Sequence, residues 1–195
     1  MPKFNARDIL IPTISLVLIT GVSTVLLAGT NELTKEPISV AEETGKQKSM
    51  QSVSPKNADS YVKIDTEDVK AECYEMLDKE GKVIAYTIAT NIKGYGGTIK
   101  VMTCIDKNGS IIGVNVYDNS DETPGLGAKT SEKKFCGQFS SKSANTDFIV
   151  SKDAEKYPDS QKIDAVTGAT ISSRAVTEAV NRALELYREI SGGVG

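Results

Sequence analysis

Ile99-Lys100-Val101-Met102-Thr103-Cys104-Ile105-Asp106-Lys107-Asn108-Gly109-Ser110-Ile111-Ile112-Gly113-Val114-Asn115-Val116 reads as two strands around a tight turn. Ile99, Val101, Thr103 and Ile105 fall on one face of the first strand, and Ile112, Val114 and Val116 return on the second. Asn108-Gly109 joins them, a pair that tolerates the positive φ values a hairpin turn demands. Upstream, Cys73 to Leu77 alternates, Asp78-Lys79-Glu80-Gly81 offers a turn, and Val83 to Ala89 resumes the alternation. A helix over Thr66–Leu77 competes, because Val69, Cys73, Met76 and Leu77 also have helical spacing. The density of β-branched and aromatic residues after the turn favours a hairpin. Downstream, Val176, Val180, Ala183, Leu184 and Tyr187 form a helical stripe, and the glycine-rich tail Gly192–Gly195 ends it. The expected class is α+β: β-hairpins followed by a C-terminal helix.

The N-terminus holds a different signal. Ile9 to Ala28 is a run of twenty residues without a charge. As a helix it extends about 30 Å, the thickness of a bilayer core. Pro12 is expected in its first turn, where a missing N–H costs least. A cleaved signal peptide is the competing reading, but its apolar part is usually shorter. Lys3 and Arg7 precede the run, so the positive-inside bias leaves the N-terminus in the cytoplasm and sends the rest across the cell membrane. The expected organisation is 1–8 as a cytoplasmic N-terminus, 9–28 as a transmembrane helix, 29–60 as a polar linker and 61–195 as an extracytoplasmic domain.

Composition narrows the chemistry. The 195 residues carry a net charge of −3 and no histidine. A slightly acidic chain makes a poor nucleic-acid binder. Without histidine there is no Ser-His-Asp triad, imidazole ligand or histidine base. Cys73, Cys104 and Cys136 lie too far apart in sequence for a zinc or iron–sulfur motif and read as buried hydrophobes. Any redox chemistry is then borrowed from a cofactor.

Two glycine-bearing loops are the candidate sites. In Asp121-Glu122-Thr123-Pro124-Gly125-Leu126-Gly127-Ala128, Pro-Gly suits a type II turn. Taken alone, the loop reads as an ordinary connection. In Asp164-Ala165-Val166-Thr167-Gly168-Ala169-Thr170, small residues precede the final helix. A helix N-terminus there would receive a phosphate, although a plain N-cap by Thr170 or Ser172 explains the same residues.

Asp164-x-x-Thr167-Gly168-Ala169-Thr170 resembles the flavinylation motif of the FMN-binding domain family. Glu122-Thr123-Pro124-Gly125-Leu126-Gly127 and Gly94-Tyr95-Gly96-Gly97 are similar to two further signatures of that family, in the expected order. The size of the chain and its lead-in Asn31–Ile38 most resemble the G subunit of Rnf-type ion-translocating ferredoxin:NAD oxidoreductase complexes. The resemblance implies FMN bound covalently to Thr170 through a phosphoester. It makes Asp164, Thr167, Gly168 and Ala169 the motif around that residue, and Glu122, Thr123, Gly125, Leu126 and Gly127 the second part of the site. Thr123 and Leu126 are the expected ring contacts. Lys152 would bring a positive charge to the pyrimidine side, or simply be a solvated surface lysine. Many relatives have histidine where this chain has Ser120, which touches redox tuning more than attachment. The implied partners are the flavin- and iron–sulfur-carrying membrane subunits, a flavin transferase and the lipid bilayer. The protein would carry electrons and turn over nothing alone. The C subunit of a sodium-translocating NADH:quinone oxidoreductase and a membrane-anchored non-redox binding domain are the alternatives. A flavoenzyme with its own small substrate fits poorly, since Glu122 and Asp164 are the sole acid–base candidates.

Overall fold

The computed structural model describes residues 6–66, 71–151 and 157–192. The chain divides into two units, one ending at Thr44 and one spanning Gly45–Gly195. Helix α1 (Ala6–Val53) begins in the first and ends in the second.

In the first unit the apolar run is exposed on every side, from Ile9 at 58% to Leu27 at 72%. A helix that is apolar all round and unburied is suited to lipid, and this one is long and apolar enough to cross a membrane. Its hydroxyls need no water. Thr13, Thr20 and Thr24 donate to the carbonyls of Ile9, Leu16 and Thr20 at 2.7–2.8 Å. Because α1 already includes Ala6, Pro12 lies in its second turn, one later than expected.

The expectation of a polar linker over 29–60 is corrected: α1 continues to Val53 despite Pro37. The stretch is rich in Glu, Lys, Gln and other good helix formers. Its pattern is weak because only its last turns bury anything. Ser49, Met50 and Val53 are buried within the second unit, which therefore starts at Gly45 and not near Tyr61.

The second unit is built on a five-stranded antiparallel sheet in sequential order. Its strands are β1 (Ser60–Ile64), β2 (Ala71–Leu77), β3 (Val83–Lys93), β4 (Thr98–Asp106) and β5 (Ile111–Asp118). The strand reading of Cys73–Leu77 holds; residues 67–70 of the competing helix lie outside the described residues. The hairpin turn at Asn108-Gly109 is as expected. Gly109 has φ +78°, and Asp106 Oδ1 accepts the N–H groups of Asn108 and Ser110 at 2.8 Å. The returning face differs by one residue. The register shifts between Cys104 and Ile105, so Ile111 pairs with Ile105 and is buried, while Ile112 is exposed. A bulge moves each residue beyond it to the other face.

Both faces of the sheet are covered, which is why Val101 to Ile105 of β4 are buried without alternation. Tyr86, Ile88, Ile99, Val101 and Ile105 pack with α3 (Thr170–Gly192), through Val176, Val180, Ala183, Leu184 and Tyr187. Met50 and Val53 pack with Tyr74, Met76, Ala85, Met102 and Cys104 on the other face. Between β5 and α3 come the short helix α2 (Lys133–Cys136) and a parallel pair, β6 (Ile149–Val150) and β7 (Lys162–Ile163). All three cysteines are buried, and burial pushes the Cys104 thiol up to about 11. The tail Gly193–Gly195 lies outside the described residues.

Lys46 pairs with Glu72 of β2, whose carboxylate also accepts from Lys63 at 3.2 Å and from the Tyr74 hydroxyl at 2.9 Å. Burial pushes the Glu72 carboxyl up, but the hydrogen bonds outweigh it and hold it at about 2. This stabilisation is complete above the usual carboxylate range and is lost as the pH falls through about 2. Glu72 remains 39% exposed, so solvent screens the pair. Glu72→Gln should lower stability at neutral pH by about 1 kcal/mol or less. The gap should close as the pH approaches the folded value. Urea unfolding of the detergent-solubilised chain, followed by circular dichroism at several pH values, checks this. A gap that does not vary with pH would exclude the ion pair as its cause.

Candidate functional site

The two glycine-bearing loops meet at the N-terminus of α3, and Glu122 is what joins them. Its side chain is only 3% exposed. Oε1 accepts the backbone N–H groups of Tyr95 at 2.7 Å and Gly96 at 3.1 Å, from the turn between β3 and β4. Oε2 accepts the Ser172 hydroxyl of α3 at 2.6 Å. One buried carboxylate thus ties together three segments distant in sequence, with every hydrogen bond charge-assisted.

The loops themselves are ordered by tight turns. Leu126 N–H donates to the Thr123 carbonyl at 3.1 Å, with Gly125 at φ +77° in the third position, which makes the expected type II turn. Ala169 N–H donates to the Val166 carbonyl at 2.9 Å, with Gly168 at φ +79° in the equivalent place. The first α-helical bond of α3 runs from Ser173 N–H to the Ala169 carbonyl at 2.9 Å. Ala169 therefore occupies the N-cap position, and it has no side-chain acceptor for the first-turn N–H groups. The alternative of a plain N-cap by Thr170 or Ser172 is set aside, since both lie inside the helix. Ser173 braces the turn instead, accepting from Val166 N–H at 3.0 Å and donating to the Ala169 carbonyl at 2.9 Å.

These elements enclose an open cleft of about 560 Å³, lined by Glu122, Thr123, Leu126, Gly127, Gly168, Ala169 and Thr170 among the residues expected from sequence. Three more line it that sequence reasoning did not assign: Tyr95, Ile171 and Ser172. Gly125 shapes the Pro-Gly turn at its edge. The rim is apolar and open, with Tyr95, Leu126 and Ile171 exposed at 67%, 42% and 52%. Ser120 is turned elsewhere, its hydroxyl donating to Asp118 at 3.0 Å.

Asp164 and Thr167 do not line this cleft. They open onto a neighbouring one of about 470 Å³, with Lys129, Lys134 and Gln138. The Asp164 backbone is held there by Gln138, which accepts from its N–H at 2.7 Å and donates to its carbonyl at 3.1 Å. The seven-residue motif therefore presents its two ends to different sides of one loop. Lys152 lies outside the described residues.

Residues 94–185 match the FMN-binding domain family, a span that takes in all three glycine signatures and most of α3. Over 189 residues the chain is 35% identical to the G subunit of the Na(+)-translocating ferredoxin:NAD(+) oxidoreductase complex of Acetobacterium woodii, covering 90% of each chain. It is 33% identical to the G subunit of the proton-translocating ferredoxin:NAD(+) oxidoreductase complex of Clostridium ljungdahlii, over 93% of this chain and 92% of that one. The fold is shared with the crystal structure of the C subunit of Na(+)-translocating NADH-quinone reductase from Parabacteroides distasonis. The TM-score is 0.55 at 21% identity, over 69% of this chain and 78% of that one.

Gly125 and Gly127 are required for different reasons, and the difference is measurable. A Cβ at Gly125 meets nothing, so only its positive φ resists substitution. At Gly127 a Cβ would land on the Glu122 carboxylate and 2.8 Å from Ser172 Oγ. Gly125→Ala should cost about 1 kcal/mol, and Gly127→Ala about 2–3 kcal/mol, because something buried must shift. Denaturant unfolding of both variants checks the order. Equal losses would mean that Gly127 is not packed against the carboxylate.

Proposed function

Given that the chain belongs to the G-subunit family of ion-translocating oxidoreductase complexes and carries its FMN-binding domain, we propose that it is an electron carrier whose FMN is esterified to Thr170. The single observation that carries this reading is the position of Thr170. It is the first residue of α3, in a cleft where the uncharged, sterically thin Gly168-Ala169 turn precedes the helix N-terminus.

The residues present suit this cofactor. The phosphate would lie beside the first turn of α3, where the N–H groups precede the first helical hydrogen bond and the helix dipole favours an anion. Glu122 is the one carboxylate among the described residues lining the cleft, and its oxygens are engaged by Tyr95, Gly96 and Ser172. It is thereby turned from the phosphate. Gly168 and Ala169 leave room for the ribityl chain, Leu126 and Ile171 offer apolar surface to the ring, and Thr123 offers a hydroxyl to its polar edge. FMN, when bound, supplies the redox chemistry by taking up and releasing electrons at its ring. The protein holds the phosphate, limits water at the ring and keeps one side of the cleft open for exchange with a partner. Thr170 contributes the ester oxygen: in the transferase reaction its hydroxyl would attack the flavin-side phosphorus of FAD, the pyrophosphate P–O bond breaks with AMP as the leaving group, and the hydroxyl proton is released. Asp164 and Thr167, facing the neighbouring cleft, belong in this reading to recognition by a flavin transferase and not to the cofactor's own contacts.

In the same reading the apolar part of α1 spans the cell membrane, with Arg7 on the cytoplasmic side and the unit from Gly45 outside. A covalent tether has an evident use there, since a flavin lost outside the membrane is not readily replaced. The partners are the flavin- and iron–sulfur-carrying membrane subunits of an Rnf-type complex, which bind the substrates and conduct the ion.

Co-expressed with a flavin transferase, the wild-type chain should show in-gel flavin fluorescence after denaturation. Thr170→Ala should abolish it, while Thr167→Ala keeps some. A dark Thr167→Ala beside a fluorescent Thr170→Ala would move the attachment site. For the topology, alkaline phosphatase fused after Gly195 should be active. Activity confined to a cytoplasmic reporter would reverse the orientation.

A further inference from the structure

We propose that Tyr95 is the aromatic contact of the flavin ring, and that Glu122 acts as the clasp that presents it. The inference rests on the reading that FMN is held at Thr170.

Tyr95 is the one aromatic side chain among the described residues lining the Thr170 cleft, and its ring is two-thirds exposed. An exposed tyrosine is usually free to wander with its loop. This one is not, because its backbone N–H and that of Gly96 both donate to the buried Glu122 carboxylate. The loop is also drawn in as closely as a chain can be. A Cβ at Gly94 would strike the Glu122 carboxylate and Ile99, one at Gly96 the Asp121 carbonyl, and one at Gly97 the Asp121 side chain. Three of the four residues in Gly94-Tyr95-Gly96-Gly97 have thus given up side chains so that the turn can sit on residues 121 and 122. The fourth keeps a large flat ring, and that ring lines the cleft. Gly94 N–H closes the turn on the Gly97 carbonyl at 2.7 Å, fixing the backbone on both sides of Tyr95.

A rigid backbone under an exposed aromatic ring is what a planar cofactor requires: contact area at little entropic cost. Leu126 and Ile171 supply aliphatic surface on the same rim. Tyr95 alone supplies a π-face. Glu122 then works through Tyr95 and Ser172, as a positioning residue.

A phenol or indole ring in contact with a flavin quenches its emission by lending an electron to the excited ring, which returns it. A benzene ring is harder to oxidise and quenches weakly. The test compares the emission of native, flavin-loaded full-length protein in detergent with that of the same sample denatured, which corrects for the amount attached. Wild type should be dim in the native state. Tyr95→Ala and Tyr95→Phe should brighten it several-fold, and Tyr95→Trp should leave it dim. Glu122→Ala should also brighten it, whereas Glu122→Gln, which keeps an oxygen for the two N–H groups, should stay near wild type. Should Glu122→Ala not fold, Gly96→Ala tests the same presentation and should brighten. A Tyr95→Ala protein as dim as wild type would overturn the ring contact. Dim Glu122→Ala or Gly96→Ala proteins would overturn the clasp. An unlabelled wild type, or label surviving Thr170→Ala, would instead sink the attachment reading on which this inference rests.

Discussion

A carboxylate that is 3% exposed must be compensated inside the protein, because burying an uncompensated charge costs several kcal/mol. Glu122 is compensated by two backbone N–H groups of the β3–β4 turn and by the Ser172 hydroxyl of α3. That requirement runs outward into the rest of the site. The β3–β4 turn must offer its N–H groups, so it is made almost wholly of glycine. The loop after β5 must pass close enough for Gly127 to touch the carboxylate. The first turn of α3 must place Ser172 inward, which sets the rotation of the helix and turns Ile171 to the cleft.

The sheet makes this convergence possible. With helix α3 against one face and the end of α1 against the other, β4 is held on both sides, and the turn leading into it cannot drift. Thr90 of β3 adds a direct link, its buried hydroxyl donating to the Ala179 carbonyl of α3 at 3.2 Å. The candidate site sits at the edge of this frame, where the loops are exposed but their backbones are hydrogen-bonded. A rigid scaffold with open loops is a common arrangement for sites that must meet a partner.

The regular parts are plain in the sequence, because their signals are local. The Asn108-Gly109 hairpin, the Pro124-Gly125 turn, the apolar stripe of α3 and the burial of the cysteines each follow from a few neighbouring residues. Ile112 is turned outward by a bulge, which periodicity alone does not reveal. The polar helix over 29–53 reads as a linker because its helical signal is propensity without a buried face, except in its last turns. The candidate site is read in the sequence from resemblance to a family, and less from physics. The Glu122–Ser172 contact spans fifty residues, and nothing in either stretch announces the other. The opposed outlooks of Asp164 and Thr170 depend on a single turn at Gly168, so a motif that reads as one patch in sequence divides between two clefts in space.

The central claim is that the cleft at the start of α3 holds FMN by a bond to Thr170. Peptide mass spectrometry of the protein matured with a flavin transferase tests it most directly. The account predicts one added FMN-phosphoryl group, located by fragmentation on Thr170. The same mass on Thr167 or on another residue, or an unmodified chain from transferase-containing cells, would contradict it.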